Sequence, residues 1–159
     1  MSLYGGLVEL HRKKIKNLIH SSDVEALIRL AVPKIAVNTN PLFGDFTRET
    51  SIAGETKGPY KCLYHDALSA RSISRAATEV IKNVTIGQYQ EATSFLEIWL
   101  EDVLVDSYDI SGLTWFDRAD SVIIRNNRYN VLGSGRHGLS VADPYILLVA
   151  LRGGVGVND

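Results

Sequence analysis

The run Asp120–Gly135, DSVIIRNNRYNVLGSG, decides the fold of this chain. A two-residue turn centred on Asn126 and Asn127 is expected, because asparagine tolerates the positive φ that tight hairpin turns require. Arg125 then opposes Arg128, Ile124 opposes Tyr129, Ile123 opposes Asn130, and Val122 opposes Val131. Opposed residues share a face of the sheet, so Val122, Ile124, Tyr129 and Val131 make one apolar surface. A glycine-rich connection follows. After it, Pro144 opens the apolar run YILLVAL, residues 145–151. A strand apolar on both faces needs a closed or doubly covered setting.

The chain has 159 residues, enough for one domain with a substantial core, and 45% of them are hydrophobic, 22% charged, with net charge −1. No run reaches the roughly 20 apolar residues of a membrane span, so no membrane partner is expected. The N-terminal MSLYGGLVELHRKK places its charges after its apolar residues, which is the reverse of a signal peptide. Cys62 stands alone, which excludes an intrachain disulfide and a cysteine-based zinc site. The expectation is a protein made and kept in a reducing cytoplasm.

Charge is segregated along the chain. Residues 1–40 carry +3 and residues 89–120 carry −7. Such blocks suit complementary surfaces, including surfaces of two copies, or two solvated faces of opposite sign.

Residues 1–32 read as an N-terminal helical pair. Leu7, Val8, Leu10, Ile15, Leu18 and Ile19 keep helical spacing, and Ser22-Asp23-Val24-Glu25 matches the capping box of a second helix that Pro33 stops. Residues 33–59 carry three of the four prolines and read as an extended arm, with Phe43 and Phe46 as apolar anchors for docking on a neighbour. The remainder, residues 60–159, reads as a β domain. Pro59–Ala67 suits a strand with Tyr60, Cys62 and Tyr64 on one face. Residues 69–83 are ambiguous, although Ile73, Ala77, Val80 and Ile81 suit a helix. Residues 89–105 carry both periodicities, and aromatic and β-branched enrichment favours a strand over Ser94–Val105.

Few motifs carry chemistry. Gly133-Ser134-Gly135-Arg136-His137-Gly138 spells the dinucleotide fingerprint, but LSVADPY and an apolar strand follow where a phosphate-facing helix is needed. A flexible inter-strand loop is the better reading. Cys62 and His65 point to opposite faces of a strand and cannot form a nucleophile–base pair. His11, His20, His65 and His137 are scattered, without the spacing of a metal site. Glu97, Glu101, Asp102, Asp106 and Asp109 lack the glycine-punctuated loop of a calcium hand and read as a solvated or partner-facing acidic edge. No catalytic residue, metal ligand or cofactor site is nominated, and the chain is not read as an enzyme. The cations Arg12, Lys13, Lys14 and Lys16 on the first helix, with Arg125 and Arg128 at the hairpin, are candidates for non-specific contact with DNA.

The C-terminal half resembles the head–tail connector family of tailed bacteriophages, the head-closure (stopper) or head–tail joining proteins of the neck. The carrying residues are Phe116-Asp117-Arg118-Ala119-Asp120, the hairpin Val122–Leu132 with Arg128-Tyr129-Asn130-Val131, the connection 133–143, and Tyr145–Leu151. The resemblance implies a small antiparallel β-barrel, OB-like or SH3-like; the helical pair and arm, residues 1–59, exceed the minimal barrel of that family and make the whole chain α+β. It implies a structural virion protein that forms a six- or twelve-fold ring between the portal or adaptor and the tail proteins. Such a ring retains packaged DNA and gives the tail a docking surface. Made in the host cytoplasm, the protein would reside in the virion neck, as adaptor, stopper or tail-completion protein. Phe43, Phe46, Glu97, Glu101 and Asp102 are then the expected subunit contacts, with the acidic region 89–120 of one copy meeting the basic N-terminal region, or the Arg125/Arg128 tip, of another copy or partner. The alternative is a nucleic-acid-binding small β-barrel module.

Overall fold

The structure, a computed structural model, describes residues 3–31, 35–38, 47–50, 54–66, 92–105, 112–140 and 142–157. Helix α1 (Leu3–His20) leads into β1 (Glu25–Leu30), followed by β2 (Ile35–Asn38), β3 (Thr47–Thr50), β4 (Thr56–Asp66) and β5 (Ser94–Trp99). A short helix α2 (Leu100–Val103) and a 3-10 turn (Trp115–Arg118) precede β6 (Ala119–Ile124), β7 (Asn127–His137) and β8 (Ile146–Gly156). Six strands close into an antiparallel barrel in the order β1-β4-β5-β8-β7-β6, while β2 and β3 pair as a separate two-stranded sheet. The barrel is thus two three-stranded meanders, β1-β4-β5 and β6-β7-β8, sealed by β1–β6 and β5–β8 pairing. Closure leaves the barrel no exposed edge. No helix among the described residues is long and apolar enough to cross a membrane.

One apolar cluster fills the interior. Ala26, Ile28, Cys62, Leu96, Ile98, Val122, Ile124, Leu147, Val149 and Leu151 alternate inward along their strands. Leu100 and Val103 of α2, with Phe116 of the 3-10 turn, join that cluster where β5 ends and β6 begins, at the same end of the barrel. Ile146 instead packs outside with Ile19, Trp99 and Tyr145 beneath α1. The run 145–151 is therefore covered on both faces, as its composition demands.

Several expectations need correction. The segment read as a second helix is β1. Val24, Ala26 and Ile28 are buried at every second position, and β4 and β6 pair with it on either side. Two ladders outweigh a local capping signal. The Ser22 hydroxyl accepts from the Val24 amide at 3.1 Å, closing a turn instead of starting a helix. Part of the arm is β2 and β3, paired from Ile35↔Thr50 to Asn38↔Thr47, and Thr56–Pro59 already belongs to β4. The strand expected over Ser94–Val105 ends at Trp99 and continues as α2. Gly133, Ser134 and Gly135 are not a loop. They lie in β7, opposite Ala150, Val149 and Leu148. Residues 69–83, Phe43 and Phe46 lie outside the described residues.

The hairpin turns one residue earlier than expected. Arg125 and Asn126 are the turn, with φ 48° and 61°, and Ile124 pairs Asn127, Ile123 pairs Arg128 and Val122 pairs Tyr129. This register removes the direct Arg125–Arg128 opposition. Arg128 instead reaches back to Asp120 at 2.8 Å and to the Ser121 hydroxyl at 3.1 Å. Moving the turn centre by one residue displaces the partner strand by two, so face parity survives. Val122, Ile124 and Tyr129 are buried together, with Val131 packed against them.

Candidate functional site

Three outer-face features each bring together polar side chains from several elements: the seam under α1, a histidine–glutamate cluster, and an arginine-lined groove.

The seam gathers the basic residues of α1. Arg12 meets Glu101 at 3.2 Å and Asp143 at 3.3 Å, Lys16 lies 4.0 Å from Glu101, and His20 Nε2 lies 2.7 Å from Asp102. Beneath them, the Arg12 guanidinium sits 5.7 Å from the ring centroids of both Trp99 and Tyr145, and Lys16 Nζ lies 5.3 Å from that of Trp99. The buried Trp99 indole donates to Glu101 at 3.2 Å. Each exposed ion pair is worth about 0.2–1 kcal/mol and each cation–π contact about 0.5–1 kcal/mol. The larger share comes from Ile19, whose full burial contributes roughly 1.5–3 kcal/mol. Glu101 and Asp102, expected at a contact between copies, thus meet basic residues of α1 in the same chain. Lys13 and Lys14 remain exposed, without an ion pair among the described residues.

The second feature escapes any reading of the sequence. Strand register brings two distant histidines to Glu97: His65 Nε2 lies 3.6 Å from Oε2 and His137 Nε2 lies 3.9 Å from Oε1. Neither separation is a hydrogen bond. The Nε2 atoms of His65 and His137 are both buried without a hydrogen-bond partner. The histidines sit on β4 and β7, on either side of the β5 glutamate, and no group of three or more His, Cys, Asp or Glu among the described residues is arranged to hold a metal ion. Burial pulls the His137 pKa below its ordinary value, against the upward pull of Glu97. Cys62 lies on the opposite, inward face, and burial pushes its thiol up to about 12, which leaves it inert as a nucleophile.

The third feature is a groove of about 470 Å³ over β1, β6, β7 and β8, lined by Arg29, Arg128 and Arg152 with Ile123, Asn130 and Val155. Pairing sets its layout. Arg29, Ser121, Asn130 and Arg152 form one cross-strand row, and Ile123, Arg128 and Val155 form the next. Of the hairpin cations expected to face DNA, Arg128 lies in this groove. Arg125 sits at the exposed turn, 4.0 Å from Asp23. Arg29 and Arg152 are absent from the sequence-based candidates, because only the barrel's closure sets β1 beside β6 and so brings Arg29 into the row that ends at Arg152.

Compared with protein-family models, curated proteins and solved structures, the chain matches none.

Proposed function

We propose that this chain is a structural subunit of a tailed-bacteriophage neck, a head-closure, adaptor or head–tail joining protein that assembles as a ring. On this reading the barrel is of the OB-like or SH3-like kind, the ring sits between portal and tail, and it holds DNA in the filled head. One observation carries the proposal. Helix α1 is pinned to the barrel by Ile15, Ile19 and Arg12, yet a second apolar stripe points away from it. Tyr4, Leu7, Leu10 and Leu18 are 67%, 63%, 51% and 53% exposed. A monomer gains nothing from leaving four large apolar side chains in water on one ordered helix, whereas a subunit interface buries them. The filled barrel interior agrees, since it leaves the outer surface as the place for function. Heterologous contacts close into rings when the rotation per subunit allows it.

The test is the mass of the protein in solution by native mass spectrometry. A closed oligomer is expected. Leu7→Glu with Leu18→Glu should reduce it to monomers while leaving the circular dichroism spectrum intact. A wild-type protein that stays monomeric at high concentration, and fails to bind portal or tail protein, would overturn the reading.

A further inference from the structure

We propose that the groove bearing Arg29, Arg128 and Arg152 binds the phosphate backbone of double-stranded nucleic acid without reading its sequence. The row Arg29–Ser121–Asn130–Arg152 crosses four adjacent strands. Neighbouring strands lie about 4.8 Å apart, which sets its two terminal arginines roughly 14 Å from each other at the backbone. Arg128 stands between them in the adjacent row. Three guanidinium groups lining one groove of about 470 Å³ suit a polymer that presents several anions side by side.

Guanidinium groups favour phosphate oxygens through paired N–H donors, and Asn130 adds a further donor along the row. Asp120 neutralises part of the Arg128 charge, and Arg29 makes no ion pair with a described residue. The rim is open: a Cβ built on Gly153 or Gly156 would meet nothing within 4 Å, so a ligand has close access to the main chain there. The lining residues include no aromatic side chain. Single-stranded binders rely on base stacking against aromatic rings, so the groove suits a duplex, whose bases stay stacked. Sequence neutrality follows, because phosphate contacts position a duplex and do not read it.

The groove lies over β6 and β7, away from the α1 stripe, so this inference is independent of ring assembly. The test is fluorescence anisotropy of the full chain with a labelled 20-base-pair duplex. Two to three phosphate contacts predict affinity falling about 10- to 40-fold between 50 and 200 mM salt. Arg29→Gln with Arg152→Gln should lower the log–log salt slope by about 1.8, with the circular dichroism spectrum unchanged. Lys13→Gln with Lys14→Gln, on α1, should leave it as it was. Duplexes of unrelated sequence should bind equally, and duplex RNA in a parallel arm shows whether backbone form matters. A slope unmoved by the arginine pair, a preference for single strands, or equal competition by poly-glutamate would overturn the proposal.

Discussion

The Tyr145 hydroxyl lies 2.6 Å from His11 Nδ1, joining α1 to the residue that introduces β8. The same oxygen accepts the Leu139 amide at 3.3 Å. With one proton and two lone pairs, the phenol serves the amide and the imidazole at once. Tyr145 is buried beside Trp99, and Gly138 passes so close that a Cβ there would sit 2.8 Å from its ring. Helix, loop and barrel meet at this one phenol.

Tyr145→Phe keeps the ring and deletes the joint. It leaves the His11 nitrogen and the Leu139 amide without their partner, which costs about 1–3 kcal/mol. Urea denaturation should show that loss, and hydrogen exchange should place it in α1 and the 138–145 loop. An unchanged midpoint would mean that water substitutes fully for the hydroxyl.

The hairpin register has its own test. In a turn of Arg125 and Asn126, position 126 requires positive φ and position 127 is a strand residue paired with Ile124. Asn126→Gly should be neutral or slightly stabilising, whereas Asn127→Gly should cost about 0.5–1 kcal/mol. Thermal melts of the two variants distinguish the registers, because a turn at 126 and 127 would make glycine welcome at both.

That case also shows what the sequence makes legible. Side-chain parity is written in Val122, Ile124, Tyr129 and Val131, and it survives a displacement of the partner strand by two. The turn position is not so written, since Asn126 and Asn127 serve almost equally until Arg128 finds Asp120. The double burial of residues 145–151 is likewise plain in composition. β1 is hidden because SDVE imitates a helix start locally, while the ladders that overrule it come from β4 and β6, far along the chain. The acidic and basic blocks are legible as charge, and α1 packing on β5 decides that Arg12 meets Glu101 in the same chain. The His65–Glu97–His137 cluster and the Arg29–Arg152 row require the closed barrel and have no local signal.

Cys62 should behave as a core residue. Its thiol is fully buried, lies 3.7 Å from the Val24 carbonyl oxygen, and is pushed up to about 12 by burial. Alkylation needs an exposed thiolate, so iodoacetamide should label the native protein at least about 1,000-fold more slowly than the urea-unfolded chain. Comparable rates would mean that β1 and β4 open readily.

His137 supplies an acid-sensitive element. Burial holds its imidazole pKa below the ordinary 6.5, and Glu97 only partly opposes that shift. Unfolding restores the ordinary value. In the window below 6.5, down to the depressed native pKa, the unfolded chain binds more protons than the folded one. Stability must therefore fall as pH drops through that window and be fully retained above it. His137→Gln removes the titrating group while keeping an amide of similar length beside Glu97. Its Tm should decline less between pH 7 and pH 5 than that of the parent chain. Equal declines would assign the acid limb to other groups and leave the buried imidazole without a role in it.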